Sequence, residues 1–177
     1  MDIGKLYDWY QSETRQTAIY PKDAKLAVAY LVLGLNNELL EFGNAPNAKE
    51  AYPELGDLFW FIAELANFLG TSLSILRELS PGLNEEGNTW NTPPGDSFAA
   101  AVINLELMEL SGFAAKFIRD NTAFHDALSQ FITRTVLTYE AIVDVMGVEL
   151  EDVLKDNIAK LQSRKQRGTL QGSGNHR

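Results

Sequence analysis

The chain contains no cysteine. That excludes disulfides, thiolate metal sites and cysteine nucleophiles, and it fits a reducing compartment. It has two histidines, His125 and His176, and neither sits at ligand spacing. No E-x-x-H occurs, which argues against a ferritin-like di-iron centre, because that chemistry needs the motif on two helices. Basic residues are the minority: 15 Lys and Arg stand against 24 Asp and Glu, for a formal net charge of -9. A chain this acidic is a poor match for nucleic acid or an anionic membrane. The longest apolar run, 26–35, is too short to span a bilayer, and Met1-Asp2-Ile3-Gly4-Lys5 is not a signal peptide. Together these absences predict a soluble, cytoplasmic protein. The hydrophobic content of 45% supports a globular core, and 177 residues suggest one domain or two small repeats sharing a core.

No alternating strand pattern is present, and helical periodicity runs through the chain. It predicts a helix over 3–17, broken at Tyr20-Pro21, and a second opening at Pro21 and Asp23 and running to Phe42. Gly43 to Asn47 is expected to be the turn that stops it. A third helix is expected over 48–69, either starting or kinked at Pro53, with a short helical piece over 72–79. Pro81-Gly82, Glu85-Glu86-Gly87-Asn88 and Pro93-Pro94-Gly95 mark 80–96 as a linker. Trp90 lies within it and is expected to anchor the loop on the core. Further helices are expected over 97–119, over 124–146 and from Glu149 onward.

Two acidic pairs stand out: Glu38-Leu39-Leu40-Glu41, and Glu54-Leu55-Gly56-Asp57. Residues three apart share a helix face, with Cβ atoms roughly 5–6 Å apart. A lone E-x-x-E is most often a solvated face. Here both pairs sit among Leu, Phe and Trp, which a solvated face does not usually do. Two such helices packed together bring four carboxylates to one place, and that is unfavourable without a neutralising cation. All-oxygen donors favour Mg²⁺, or alternatively Mn²⁺. Glu38, Glu41, Glu54 and Asp57 are therefore candidate metal ligands. Glu64, seven residues beyond Asp57, is expected to lie behind the ligands or in solvent. Trp9, Tyr20 and Trp60 are expected in the core.

The two sides of the linker resemble each other. Leu35 to Glu41 matches Ile103 to Glu109, and Leu69-Gly70-Thr71-Ser72-Leu73 matches Met146-Gly147-Val148-Glu149-Leu150. In the second copy Glu106 and Glu109 persist, but Phe131 and Arg134 stand where Glu54 and Asp57 would align. Arg134 is then either an ion-pair partner or a remnant of a dead site. This predicts a tandem duplication, with 1–79 carrying the metal site and 97–177 a degenerate repeat ending in a basic segment.

At these residues the chain resembles the all-α nucleoside triphosphate pyrophosphohydrolases of the MazG type, relatives of the dimeric dUTPases. The family pattern of E-x-x-E followed by E-L-G-D-x-x-W reads here as Glu38/Glu41, then Glu54-Leu55-Gly56-Asp57-Leu58-Phe59-Trp60. The segment from Asn157 to Gly168 is similar to the basic stretch that closes many phage and bacterial members. The resemblance covers about residues 17–79 and 97–177. Departures exist: Asn37 and Leu40 replace frequent glycines, and no lysine follows Glu41 closely.

The resemblance implies an all-α MazG-like bundle that hydrolyses NTP or dNTP to NMP and pyrophosphate with Mg²⁺. It implies Glu38, Glu41, Glu54 and Asp57 as ligands, with Glu38 and Glu41 the candidate catalytic residues; the motif does not separate base from pure ligand, and Glu41 is taken as the candidate general base. Lys160, Arg164 and Arg167, spaced to share a helix face, would meet the polyphosphate, and Asn157 the ligand or ribose. A basic last turn complementing the helix dipole is the plainer reading of those residues. Family members resemble tight homodimers, so a fused pseudo-dimer or a further homo-oligomer is expected. A dUTPase-like substrate, a non-catalytic nucleotide- or metal-binding module and a purely structural bundle are the alternatives.

Overall fold

The computed structural model describes residues 1–79 and 96–170, without side chains for 96–100. The linker expected over 80–96, apart from its last residue, and the tail from 171 lie outside the described residues, as do Trp90 and His176. Among the described residues there are seven helices and no strand: α1 (Ile3–Thr14), α2 (Ala24–Asn44), α3 (Ala48–Leu69), α4 (Leu73–Glu78), α5 (Asp96–Asp120), α6 (His125–Val145) and α7 (Leu150–Gln166). None is long and apolar enough to cross a membrane.

Local chemistry sets several boundaries. The Asp23 carboxylate accepts the Lys25 and Leu26 backbone N–H groups at 3.0 Å and so starts α2. Asn47 caps α3 by accepting from Glu50 N–H at 3.1 Å, and its amide returns a bond to the Glu50 carboxylate at 3.2 Å. Gly70, at φ 76°, closes α3 in the left-handed conformation. Pro53 lies inside α3 rather than at its start, forfeiting one backbone bond. Two expectations are corrected. α1 stops at Thr14, short of Thr17. α2 runs through Gly43 to Asn44, and the break falls at Ala45, whose ψ of 127° is the extended conformation that the following Pro46 imposes.

α3 is the central element. It is buried almost all round, as expected of a helix with partners on every side. α2 packs along it, and α1, α6 and α7 also lie against it. The α2–α3 hairpin faces the α5–α6 hairpin, with α2 against α5 and α3 against α6, while α4 packs on α6 and α7 on α3. Phe59 anchors the middle of the core, with ring centroids 4.4 Å from Tyr139, 5.3 Å from Tyr7 and 5.6 Å from Tyr10. Gly34 lets α2 close on α3: a Cβ there would lie 2.2 Å from the Phe61 ring.

Candidate metal centre and adjoining cleft

Glu38 and Glu41 stand one turn apart on α2, Glu54 and Asp57 one turn apart on α3, and these two helices pack side by side. One carboxylate oxygen from each of Glu38, Glu41 and Glu54 lies within 4.8 Å of the other two. Glu54 is buried at 6% exposure, whereas Glu41 is exposed and accepts a bond from the Asn37 amide at 2.6 Å. Burial, and then the charges of Asp57, Glu41 and Glu54, push the Glu38 carboxyl up to about 8, while Lys160 partly opposes them. The cluster thus has more negative charge than its protein surroundings offset. An all-oxygen donor set in that condition fits a hard divalent cation.

Asp57 is held differently. Its Oδ1 accepts from the Asn157 amide at 2.8 Å and its Oδ2 from the Lys160 ammonium at 2.6 Å. Asn157 is buried and is itself fixed, because its oxygen accepts the Tyr10 hydroxyl at 2.8 Å. Gly56 makes this possible. A Cβ at Gly56 would lie 2.6 Å from the Asn157 Cβ, so only glycine lets α7 approach α3 this closely. Leu55 fills the core, and its carbonyl accepts the Tyr139 hydroxyl at 3.0 Å. Each position from Glu54 to Asp57 therefore has a separate physical task.

Glu38 and Asp57 also line a cleft of about 120 Å³, together with Tyr30, Trp60, Phe61 and Arg164. Trp60 is oriented by its indole N–H, which donates to Thr17 Oγ1 at 3.2 Å. Tyr30 was not singled out in the sequence. Its signal is positional, since Tyr30, Gly34 and Glu38 follow one another at four-residue spacing on α2.

The candidate substrate residues of α7 divide by place. Asn157 and Lys160 contact Asp57, Arg164 is buried at 3% exposure and lines the cleft, and Arg167 sits at the exposed C-terminal cap. Glu64, expected behind the ligands or in solvent, is fully buried. It accepts from Thr14 Oγ1 at 2.6 Å, Asn67 at 2.7 Å, the Tyr20 hydroxyl at 2.8 Å and Arg15 at 3.2 Å. In the second hairpin the Arg134 guanidinium meets Glu106 at 2.6 Å and Glu109 at 3.4 Å, beside a cavity of about 240 Å³. Arg134 is thus an ion-pair partner of Glu106 and Glu109.

No protein-family profile and no solved structure matches the chain. The chain is similar to the Gene 37 protein of Mycobacterium phage L5, with 32% identity over 89 residues, covering 40% of this chain and 78% of that protein. That name states no activity. A likeness spanning so much of the relative means that the chain belongs to the family of the phage L5 Gene 37 protein.

Proposed function

We propose that this chain is a metal-dependent nucleoside triphosphate pyrophosphohydrolase of the MazG type, taking NTP or dNTP and water to NMP and pyrophosphate. The observation that carries this reading is the convergence of Glu38, Glu41 and Glu54 within 4.8 Å, beside Asp57. Those residues would hold Mg²⁺ or Mn²⁺, which when bound supplies Lewis acidity toward phosphate oxygens. Glu41 is the most exposed of the three and commits Oε1 to Asn37, so its Oε2 is the atom proposed to take the proton from the attacking water. Lys160 and Asn157 hold Asp57 in place. Arg164 lines the cleft and is proposed to bind the polyphosphate, together with Arg167 at the C-terminal cap of α7. Tyr30, Trp60 and Phe61 provide aromatic surface for the base.

The tandem duplication belongs to the same proposal. It is supported by the reciprocal packing, in which α4 lies on α6 and α7 on α3. In this reading Arg134 neutralises the acids of the degenerate half, and one working site remains. The engagement of Lys160 with Asp57 favours, as a second reading, a module that binds nucleotide or metal without turnover. A dUTPase-like substrate would use the same groups.

The test is pyrophosphate release from a panel of NTPs and dNTPs, dUTP included, with Mg²⁺ or Mn²⁺. Glu38→Gln and Asp57→Asn run beside the wild type. Pyrophosphate plus monophosphate is expected, falling at least roughly tenfold in each variant. Thermal stabilisation by nucleotide and metal without product would favour the binding module. Neither turnover nor stabilisation would sink both readings.

A further inference from the structure

Glu64 is a fully buried carboxylate that the proposed chemistry does not use. Such a group is costly, and an apolar residue of similar size would sit in that core with less penalty. Its four donors fall into two sets. Oε1 accepts from Thr14, at the end of α1, and from Asn67 on α3 itself. Oε2 accepts from the Tyr20 hydroxyl and the Arg15 guanidinium, both in the loop between α1 and α2. Arg15 also donates to the Tyr20 hydroxyl at 3.0 Å, which closes a triangle. One oxygen thus serves helix packing, and the other holds a loop.

That loop is a wall of the cleft beside the acid cluster. Thr17 and Ile19 line it directly. Tyr20 stands behind: its ring stacks on Tyr30 at 5.6 Å and meets Trp60 edge-on at 6.4 Å. Tyr30 lies 5.9 Å from Phe61, and Phe61 lies 4.9 Å from Trp60. The four rings form a closed circuit, and Tyr30, Trp60 and Phe61 face the cleft. Tyr20 carries the tie from this circuit to Glu64.

We propose that Glu64 is a positioning residue: through Tyr20 it fixes the aromatic wall that takes the substrate's nucleobase by its face. The proposal rests on the nucleotide reading of the cleft and adds how the base is held. Placement supports it. Asp57, Trp60 and Glu64 follow one another on α3 at three- and four-residue spacing, so they share one stripe. Seven residues of helix, about 10 Å, separate Asp57 at the acid cluster from Glu64 at the loop.

The hydrogen-bond donors of this wall are spent within the protein. The Thr17 hydroxyl donates to the Thr14 carbonyl at 3.0 Å, the Trp60 indole to Thr17, and the Tyr20 hydroxyl to Glu64. What these residues offer a ligand is ring face, and stacking of that kind accepts every base. Burial, followed by the hydrogen bond to Glu64 and its charge, pushes the Tyr20 hydroxyl up from its ordinary value, so it keeps its proton and the tie at neutral pH. Tyr30 is 43% exposed, so without an anchored Tyr20 behind it the ring would lose the surface that sets its angle.

The test is calorimetric titration of the full chain, in Mg²⁺, with α,β-methylene ATP, α,β-methylene CTP and inorganic tripolyphosphate. The two analogues resist cleavage between the α- and β-phosphates, and tripolyphosphate has no base. The wild type is expected to bind both nucleotides at least roughly tenfold more tightly than tripolyphosphate. Tyr20→Phe and Glu64→Gln are expected to cut that preference to roughly twofold, with tripolyphosphate affinity unchanged. Tyr20→Phe leaves Glu64 in place and carries the test if Glu64→Gln does not fold. Thr14→Val removes a partner of Oε1 instead; it should lower the melting temperature and leave the preference intact. An unchanged preference in Tyr20→Phe would overturn the proposal. So would an equal loss of nucleotide and tripolyphosphate affinity, the mark of general loosening. A wild type that binds nucleotides and tripolyphosphate alike would overturn this proposal and leave the pyrophosphohydrolase reading standing, whereas one that binds neither would overturn both.

Discussion

Gly56 shows how one missing carbon positions a charged residue. Alanine would normally stabilise a helix interior by about 1 kcal/mol over glycine. At Gly56 the added Cβ would lie 2.6 Å from the Asn157 Cβ, an atom fixed to the α7 backbone that cannot swing aside. Overpacking of that kind costs about 1–3 kcal/mol and should outweigh the propensity gain. Gly43, a helical glycine in α2, has nothing within 4 Å of its Cβ position. Gly56→Ala is therefore expected to lower the melting temperature by a few degrees and to loosen the Asn157–Asp57 bond, whereas Gly43→Ala leaves it unchanged or raises it. Paired thermal melts decide this, and a Gly56→Ala protein as stable as Gly43→Ala would refute the close-approach account.

At the scale of elements, α3 is held from several sides, by α1, α2, α6 and α7. A fragment ending at residue 95 would lack α5, α6 and α7. It would expose the α3 surfaces that meet α6 and α7, including the side of Phe59 that stacks on Tyr139, and it would lose both partners of Asp57. Such a fragment is expected to melt without a cooperative transition and to release no pyrophosphate. A folded, fully active fragment would remove the need for the second half. The helices themselves were legible in the sequence wherever the signal was local. Asn47 and Gly70 bracket α3 by capping chemistry, and the two acidic pairs announce their shared faces by spacing. Gly43 misled because Pro46 dictates where α2 breaks. Glu64 was unreadable for a different reason: its burial is offset by Arg15, Thr14 and Tyr20, which reach it only through the packing of α1 and the following loop against α3. The separate fates of Lys160, Arg164 and Arg167 likewise depend on how α7 docks, which helical spacing does not encode.

For the molecule as a whole, the raised Glu38 carboxyl is expected to couple folding to pH and, under the proposed function, to metal. Glu38 has its carboxyl pushed up to about 8 from an ordinary 4.5 by burial and by Asp57, Glu41 and Glu54. The metal-free native state thus holds a proton that the unfolded chain releases. The resulting stability is complete below 4.5 and is lost as pH rises toward about 8. Metal binding requires the deprotonated carboxylates, so its stabilising effect should grow over the same window. In EDTA the melting temperature is expected to fall between about pH 5 and pH 8. Added Mg²⁺ should restore more of it at the upper end than at the lower. Glu38→Gln cannot release that proton, so its metal-free profile should be flatter and its response to Mg²⁺ smaller. Superimposable profiles for wild type and Glu38→Gln, with and without metal, would mean that these carboxylates do not act as one coupled cation site, and the proposed chemistry would lose its foundation.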